Sequence, residues 1–412
     1  MLLEILLAAA ALAQPVAGQC PTGLFSSPDG GSQVVITARP SGSYRYTFID
    51  GRRGEAGVAG APLSCADGKL FGSGQQASWV PVEVRSSEVS FQSHGTKLGG
   101  TLLEPSGPGP HPLVVFVHGS ERTSPLAGYY PLLVVAQGIS VFAYDKRGTA
   151  RSEGEYTQNF ELLADDAAAA MVEARRIAAG RFSRIGYFGG SQGGWIAPLA
   201  ASRTGADFVA IGFGLIGSPI EEDREQVMTE MRGKGYGEPD TSEARKVADA
   251  TATLVRSRFT RGFDQFAEVK RLYGSRPWFG QIEGEFTGDV LREDEADLRR
   301  VGAALFDNLE LIWDYDSRPT IAKLKMPQLW ILAEADREAP PETTLAALLE
   351  LREKGADLAI YSFPATDHGM VEFTEAADGG RTYGRITDGY FRLLGDWIKG
   401  KLSGAYGRAR KR

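Results

Sequence analysis

Gly189-Gly190-Ser191-Gln192-Gly193 puts a hydroxyl nucleophile beside a backbone N–H that could receive developing negative charge. A G-x-S-x-G pattern does chemistry in one setting, a sharp turn between a strand and a helix. The flanks predict that setting. Residues 183–188, Ser-Arg-Ile-Gly-Tyr-Phe, read as a buried strand bounded by turn signals. The Ala-rich residues 194–202 read as a helix, in which Pro198 predicts a bend or a late start. A serine in such a turn has strained backbone angles and little space around it, a need that glycines at 189 and 193 meet by having no side chain.

A serine hydroxyl is a poor nucleophile at neutral pH, so a base must take its proton, and that base is usually histidine. The chain has four: His94, His111, His118 and His368. His94 and His111 precede the first apolar core strand, and His118 ends it. His368 lies in the loop at 364–370, after the strand-like residues 358–363. By elimination it is the one histidine C-terminal to the serine. A third group must orient the imidazole and stabilise its protonated form. The buried strand expected at 327–333 delivers Glu334, Asp336 and Glu338 to its C-terminal end. Asp336 is the choice, just before Pro340-Pro341 and the next helix, and Glu334 is its competitor.

These segments resemble the α/β-hydrolase family. The resemblance rests on His118-Gly119-Ser120, Asp145-Lys146-Arg147-Gly148, Gly189 to Gly193, Ala333-Glu-Ala-Asp336 and Asp367-His368-Gly369, and spans about residue 95 to about 400. The order Ser191, Asp336, His368 is the family's order. Within the family the chain is most similar to bacterial esterases with a His-Gly-Ser oxyanion turn and a Trp-x-Tyr-Asp segment, here Trp313 to Asp316. Such proteins often carry a small N-terminal domain. The resemblance implies an oxyanion hole of two backbone amides, that of Gln192 and that of Ser120, with Glu121 as the alternative to Ser120. His118 would then be structural, and Asp145 and Arg147 would fix a loop near the site by an ion pair. Glu121-Arg-Thr-Ser124 departs from the family's pattern, where more glycine or proline is expected.

The implied activity is hydrolysis of a carboxylic ester through an acyl-Ser191 intermediate, with no metal or organic cofactor. A serine peptidase or thioesterase would use the same groups, and a non-catalytic binding protein is the alternative from another class. A net charge of −7 excludes nucleic acid as the expected partner, which leaves a small-molecule ester. The basic C-terminus, 407–412, reads as a solvated tail.

The positioning elements follow from the rest of the chain. Residues 1–18 read as an export signal, apolar but too short to span a bilayer, although Glu4 is unusual there. The protein is therefore expected outside the cytoplasm, where the two cysteines, Cys20 and Cys65, could pair. Residues 19–90 predict a small β-rich domain, with short strands at 33–37, 44–49 and 79–84. Residues 91–412 alternate strands with helices, including one at 159–179, which predicts a doubly wound, mostly parallel sheet. The alternation breaks at about 219–318, a charged helical stretch that predicts a cap over the strand ends. Trp278, Phe279, Trp313 and Tyr315 are candidates for lining its substrate pocket, Trp278 and Trp313 foremost.

Overall fold

The computed structural model describes residues 19–376 and 379–412. The expected export signal at 1–18 lies outside the described residues. A nine-stranded sheet organises the fold. Its six central strands run parallel in the spatial order Leu358–Phe363, Gln328–Ala333, Val209–Gly212, Phe182–Gly190, His111–Val117, Ser140–Tyr144. Thr96–Pro105 and Val84–Ser93 extend one edge antiparallel, and the short Arg410–Lys411 pairs antiparallel at the other. Every residue of Gln328–Ala333 is buried, as expected of a strand covered by helices on both faces.

Helices Phe160–Ile177 and Gly193–Arg203 cover one face, and Tyr130–Ala136 and Tyr390–Ile398 the other. Phe160–Ile177 shows why the sequence folds this way. The Asn159 side chain accepts from the Leu162 N–H at its start, and Arg175 and Arg176 sit in its last turn, where the helix dipole favours cations. Phe160, Leu163, Ala167, Met171 and Ala174 recur at helical spacing and are buried against the sheet. Because the central strands are parallel, their C-terminal ends share one rim, and the loops there are brought together.

Between Val209–Gly212 and Gln328–Ala333 the chain forms the helices Pro219–Gly233, Asp240–Arg256, Phe263–Tyr273, Thr287–Arg292, Glu295–Phe306 and Arg318–Lys323, with no strand among them. The first is started by a capping box between Ser218 and Glu221. This insertion has apolar clusters of its own, one around Leu254, Phe266 and Leu298 and one around Val227, Val247 and Trp278.

The N-terminal strands form a separate antiparallel sheet, ordered Arg53–Ala56, Tyr44–Phe48, Gln33–Ala38, Gly23–Ser26, Val80–Pro81. Phe25, Val34, Ile36, Phe48 and Trp79 are buried within it, and Cys20 is bonded to Cys65. The strand expected at 79–84 is two: Val80–Pro81 joins this sheet, while Val84–Ser93 is already the edge of the large one. The C-terminal tail also departs from expectation. It is not free in solvent, because Arg410 and Arg412 both pair with Glu334 and Arg412 Nε donates to Ser362 Oγ at 2.6 Å.

Candidate active site

Ser191 follows the strand Phe182–Gly190 directly and has a left-handed backbone, φ +52°. That conformation is uncommon for a residue with a side chain and persists where the surroundings enforce it. They do so here. A Cβ on Gly189 would lie 2.5 Å from the Gly193 carbonyl oxygen, and one on Gly193 would lie 2.3 Å from that of Val117. Both are sub-contact distances to backbone, so the turn closes only with glycine at each position. The Gly194 N–H donates to the Ser191 carbonyl at 2.7 Å and starts the helix. Pro198 neither delays nor ends that helix, which runs from Gly193 through Arg203.

The loop after Leu358–Phe363 brings His368 to the serine. His368 Nε2 is 3.1 Å from Ser191 Oγ, and Nδ1 is 2.9 Å from Asp336 Oδ2. Asp336 is 2% exposed, and its Oδ1 accepts from the N–H groups of Glu338 and Ala339 at 3.0 and 2.7 Å. The loop is held by Asp367, whose carboxylate accepts from the His368 and Arg337 N–H groups, Arg381 and the Tyr383 hydroxyl. Phe213 packs edge-on to the imidazole, with centroids 5.1 Å apart. Burial disfavours the imidazolium, but Asp336, then Glu338 and Asp367, outweigh it and raise the His368 pKa to about 9.

Glu334, the competing acid, points elsewhere, to Ser362 Oγ at 2.7 Å and to Arg410 and Arg412. His118 is buried with Nδ1 3.5 Å from Glu121 Oε2, and burial lowers its pKa. Asp145 and Arg147 do each form an ion pair, but with other partners: Asp145 with Arg151 and Arg147 with Asp166.

Ser120, Ser191 and Gln192 line one cavity of about 250 Å³ beneath the helical insertion. Trp313 lines it too, packed on Phe286 with Nε1 donating to Asp307 Oδ1 at 3.2 Å. Trp278 does not. It is 1% exposed inside the insertion's own core, against Tyr273 and Phe279, with Nε1 donating to Asp240 Oδ1 at 3.0 Å. Tyr315 does not line the cavity itself but packs behind Phe160, which does. The pocket assignment of Trp278 is therefore corrected: it lies in the turn between Phe263–Tyr273 and the short 3-10 helix Phe279–Gln281, where the cap's own core takes up an aromatic as readily as a pocket would.

Sequence reading missed the charged lining. Glu222, Glu285 and Glu338 face the cavity with Ser191. Burial raises all three pKa values. Glu285 and Glu338 add to it at Glu222, which is held well above the usual range, and Glu338 and Asp223 add to it at Glu285, which rises to about 7. At Glu338 the repulsion of Asp336 is opposed by His368. Glu338 Oε1 is 3.5 Å from His368 Nε2. A second opening, of about 680 Å³, is bounded by His368, Glu338, Glu230 and Arg337.

Residues 108–232 match a family model described as serine aminopeptidase, S33. That match falls on the strands and turns that carry Ser120, Ser191 and Gln192, and the acid and histidine follow in order in loops after later strands of the same sheet. The fold is that of the α/β-hydrolases. Among solved structures of this hydrolase fold, an esterase of Pyrococcus furiosus is 14% identical and covers 70% of this chain and 84% of its own, with a TM-score of 0.45. An acylaminoacyl peptidase of Pyrococcus horikoshii is 15% identical over 90% of this chain and 49% of its own, TM-score 0.45. A proline iminopeptidase of Mycobacterium smegmatis is 16% identical over 68% of this chain and 91% of its own, TM-score 0.40.

Proposed function

We propose that this chain is a serine hydrolase that cleaves carboxylic esters through an acyl-Ser191 intermediate. The observation that carries the reading is the single imidazole with one nitrogen 3.1 Å from Ser191 Oγ and the other 2.9 Å from Asp336. Neutral His368 takes the hydroxyl proton as Oγ attacks the ester carbonyl, and Asp336 stabilises the imidazolium that forms. The tetrahedral oxyanion is held by the N–H groups of Ser120 and Gln192. Collapse expels the alcohol, which leaves with the proton from His368. Water then enters, loses its proton to His368 and attacks the acyl-enzyme, and the acid departs as Ser191 recovers its proton.

A specific observation favours a second substrate class for the same groups. Five acidic residues, Glu222, Glu285, Asp289, Asp307 and Glu338, line the cavity with Ser191, and an apolar acyl chain gains little there, whereas a cationic group near the scissile bond would relieve their repulsion. That supports an amide substrate with a free amine, a serine aminopeptidase reading. Turnover of short p-nitrophenyl esters beside aminoacyl p-nitroanilides separates the two. Esterase action predicts rapid ester cleavage and negligible anilide cleavage, both abolished in Ser191→Ala; a preference for the anilides moves the assignment to peptidase. We also propose export of the protein, an assignment that the Cys20–Cys65 pairing supports because such bonds persist in oxidising compartments.

A further inference from the structure

Lys146 has no part in the acyl-transfer scheme, yet it is a fully buried ammonium at the site. It follows the strand Ser140–Tyr144 and is 0% exposed. Burying such a group costs several kcal/mol unless acceptors replace its water. Its Nζ has two, the carbonyl oxygen of Gly119 at 2.5 Å and Gln192 Oε1 at 2.6 Å. Burial draws its pKa down to about 7, with Glu121 opposing. An uncharged amine still has two N–H groups, so both contacts survive either protonation state.

The two acceptors coincide with the two halves of the oxyanion hole. The Gly119 carbonyl belongs to the same peptide unit as the Ser120 N–H. That unit is trans, so its C=O and N–H point in opposite directions. Holding the carbonyl toward Lys146 fixes the Ser120 N–H on the other side, and Ser120 lines the cavity with Ser191. The hydroxyl of Tyr156 donates to the Ser120 carbonyl at 2.6 Å and secures the next peptide unit. The second contact fixes the side chain of Gln192, whose own N–H is the other donor. We propose that Lys146 is a positioning residue that clamps both oxyanion donors at once, tying the turn after His111–Val117 to the start of the helix Gly193–Arg203. This assignment favours Ser120 over Glu121 as the first donor, and it rests on the acyl-Ser191 reading above.

Donors aimed at charge that develops only in the transition state act on kcat and leave ground-state binding alone. In Lys146→Met, kcat for p-nitrophenyl acetate, counted per active site titrated with a fluorophosphonate, should fall by about 10- to 100-fold. KM should stay within about twofold. Affinity for a trifluoromethyl ketone, whose adduct with Ser191 places an oxyanion in the hole, should fall by the same factor as kcat. A residue that only stabilises the fold would lower the melting temperature and the titratable fraction while leaving kcat per site unchanged. Gln192→Met keeps the backbone donor but removes one of the two clamp contacts, so it carries the test if Lys146→Met does not fold; a several-fold loss in kcat and in ketone affinity is expected. Wild-type kcat and ketone affinity in whichever variant folds would overturn the proposal. Ser191→Ala run in parallel separates the two levels. If it is inactive while Lys146→Met is as fast as wild type, the Lys146 assignment alone has failed; if it is active, the acyl-Ser191 reading has failed and this inference with it.

Discussion

At the scale of single residues, the site turns on which carboxylate reaches the imidazole and on how many others surround it. Asp336 and Glu334 lie two residues apart at one strand end, so the sequence alone left them in competition. The structure separates them through contacts no local pattern encodes: Glu334 is bound by Arg410 and Arg412, more than seventy residues downstream. Asp336→Asn should hold the wrong imidazole tautomer and lower kcat by about 10³–10⁴-fold. Glu334→Gln should cost far less, and steady-state ester kinetics that reversed this ranking would move the acid to Glu334. In the acyl-Ser191 reading the pH profile is set by His368, which must be neutral to accept the serine proton. With its pKa raised to about 9, kcat/KM should climb with pH until about that value. Glu338, 3.5 Å from Nε2, is one of the groups that raise it, so Glu338→Gln should shift the rising limb to lower pH. An unmoved limb would remove Glu338 from that role.

Secondary-structure elements were legible where one chemical demand dominates them. The strand–turn–helix around Ser191 is legible in the sequence because two glycines must abut backbone there. The helix Phe160–Ile177 showed itself through its Asn159 start and its period of small apolar residues. Pro198 misled, since its missing N–H is tolerated in a helix packed on all sides. The insertion between Val209–Gly212 and Gln328–Ala333 was predicted as helical, but periodicity marks only which residues are buried, not whether they face the cap's own core or the cavity. Trp278 and Trp313 share only their aromatic character, which fits a core as well as a pocket. Their variants should now behave differently. Trp278→Ala should destabilise the insertion, by about 3–5 kcal/mol for a buried tryptophan, with little change in relative kcat/KM across an ester chain-length series. Trp313→Ala should shift the preferred chain length, because one methylene in a pocket is worth about 1–3 kcal/mol. A melting curve beside that series checks both, and equal losses for all esters in Trp313→Ala would make it a core residue.

Across the whole molecule, a site assembled from four strand ends is held by segments far from it in sequence. The N-terminal sheet reaches the antiparallel pair Val371–Glu375 and Arg381–Ile386 that follows His368: the Ile386 N–H donates to the Gly51 carbonyl at 2.9 Å, and Arg53 Nε donates to that of Gly384. None of this could be read from the first ninety residues, which carry turn and strand signals but no chemistry. The Cys20–Cys65 bond closes a loop of sequence separation 45, worth about 4 kcal/mol in the chain-entropy model. Protein isolated from its native host should begin near Gln19 with both cysteines joined, by intact mass and alkylation; a retained Met1 with two free thiols would contradict export. The central claim, that Ser191 is an activated nucleophile, has a more direct test. Incubation of the folded protein with a fluorophosphonate, followed by peptide mass analysis, should place one adduct on Ser191, absent in Ser191→Ala and much slower to form in His368→Ala. No adduct on wild-type protein, or an adduct on another residue that persists in Ser191→Ala, would contradict the account.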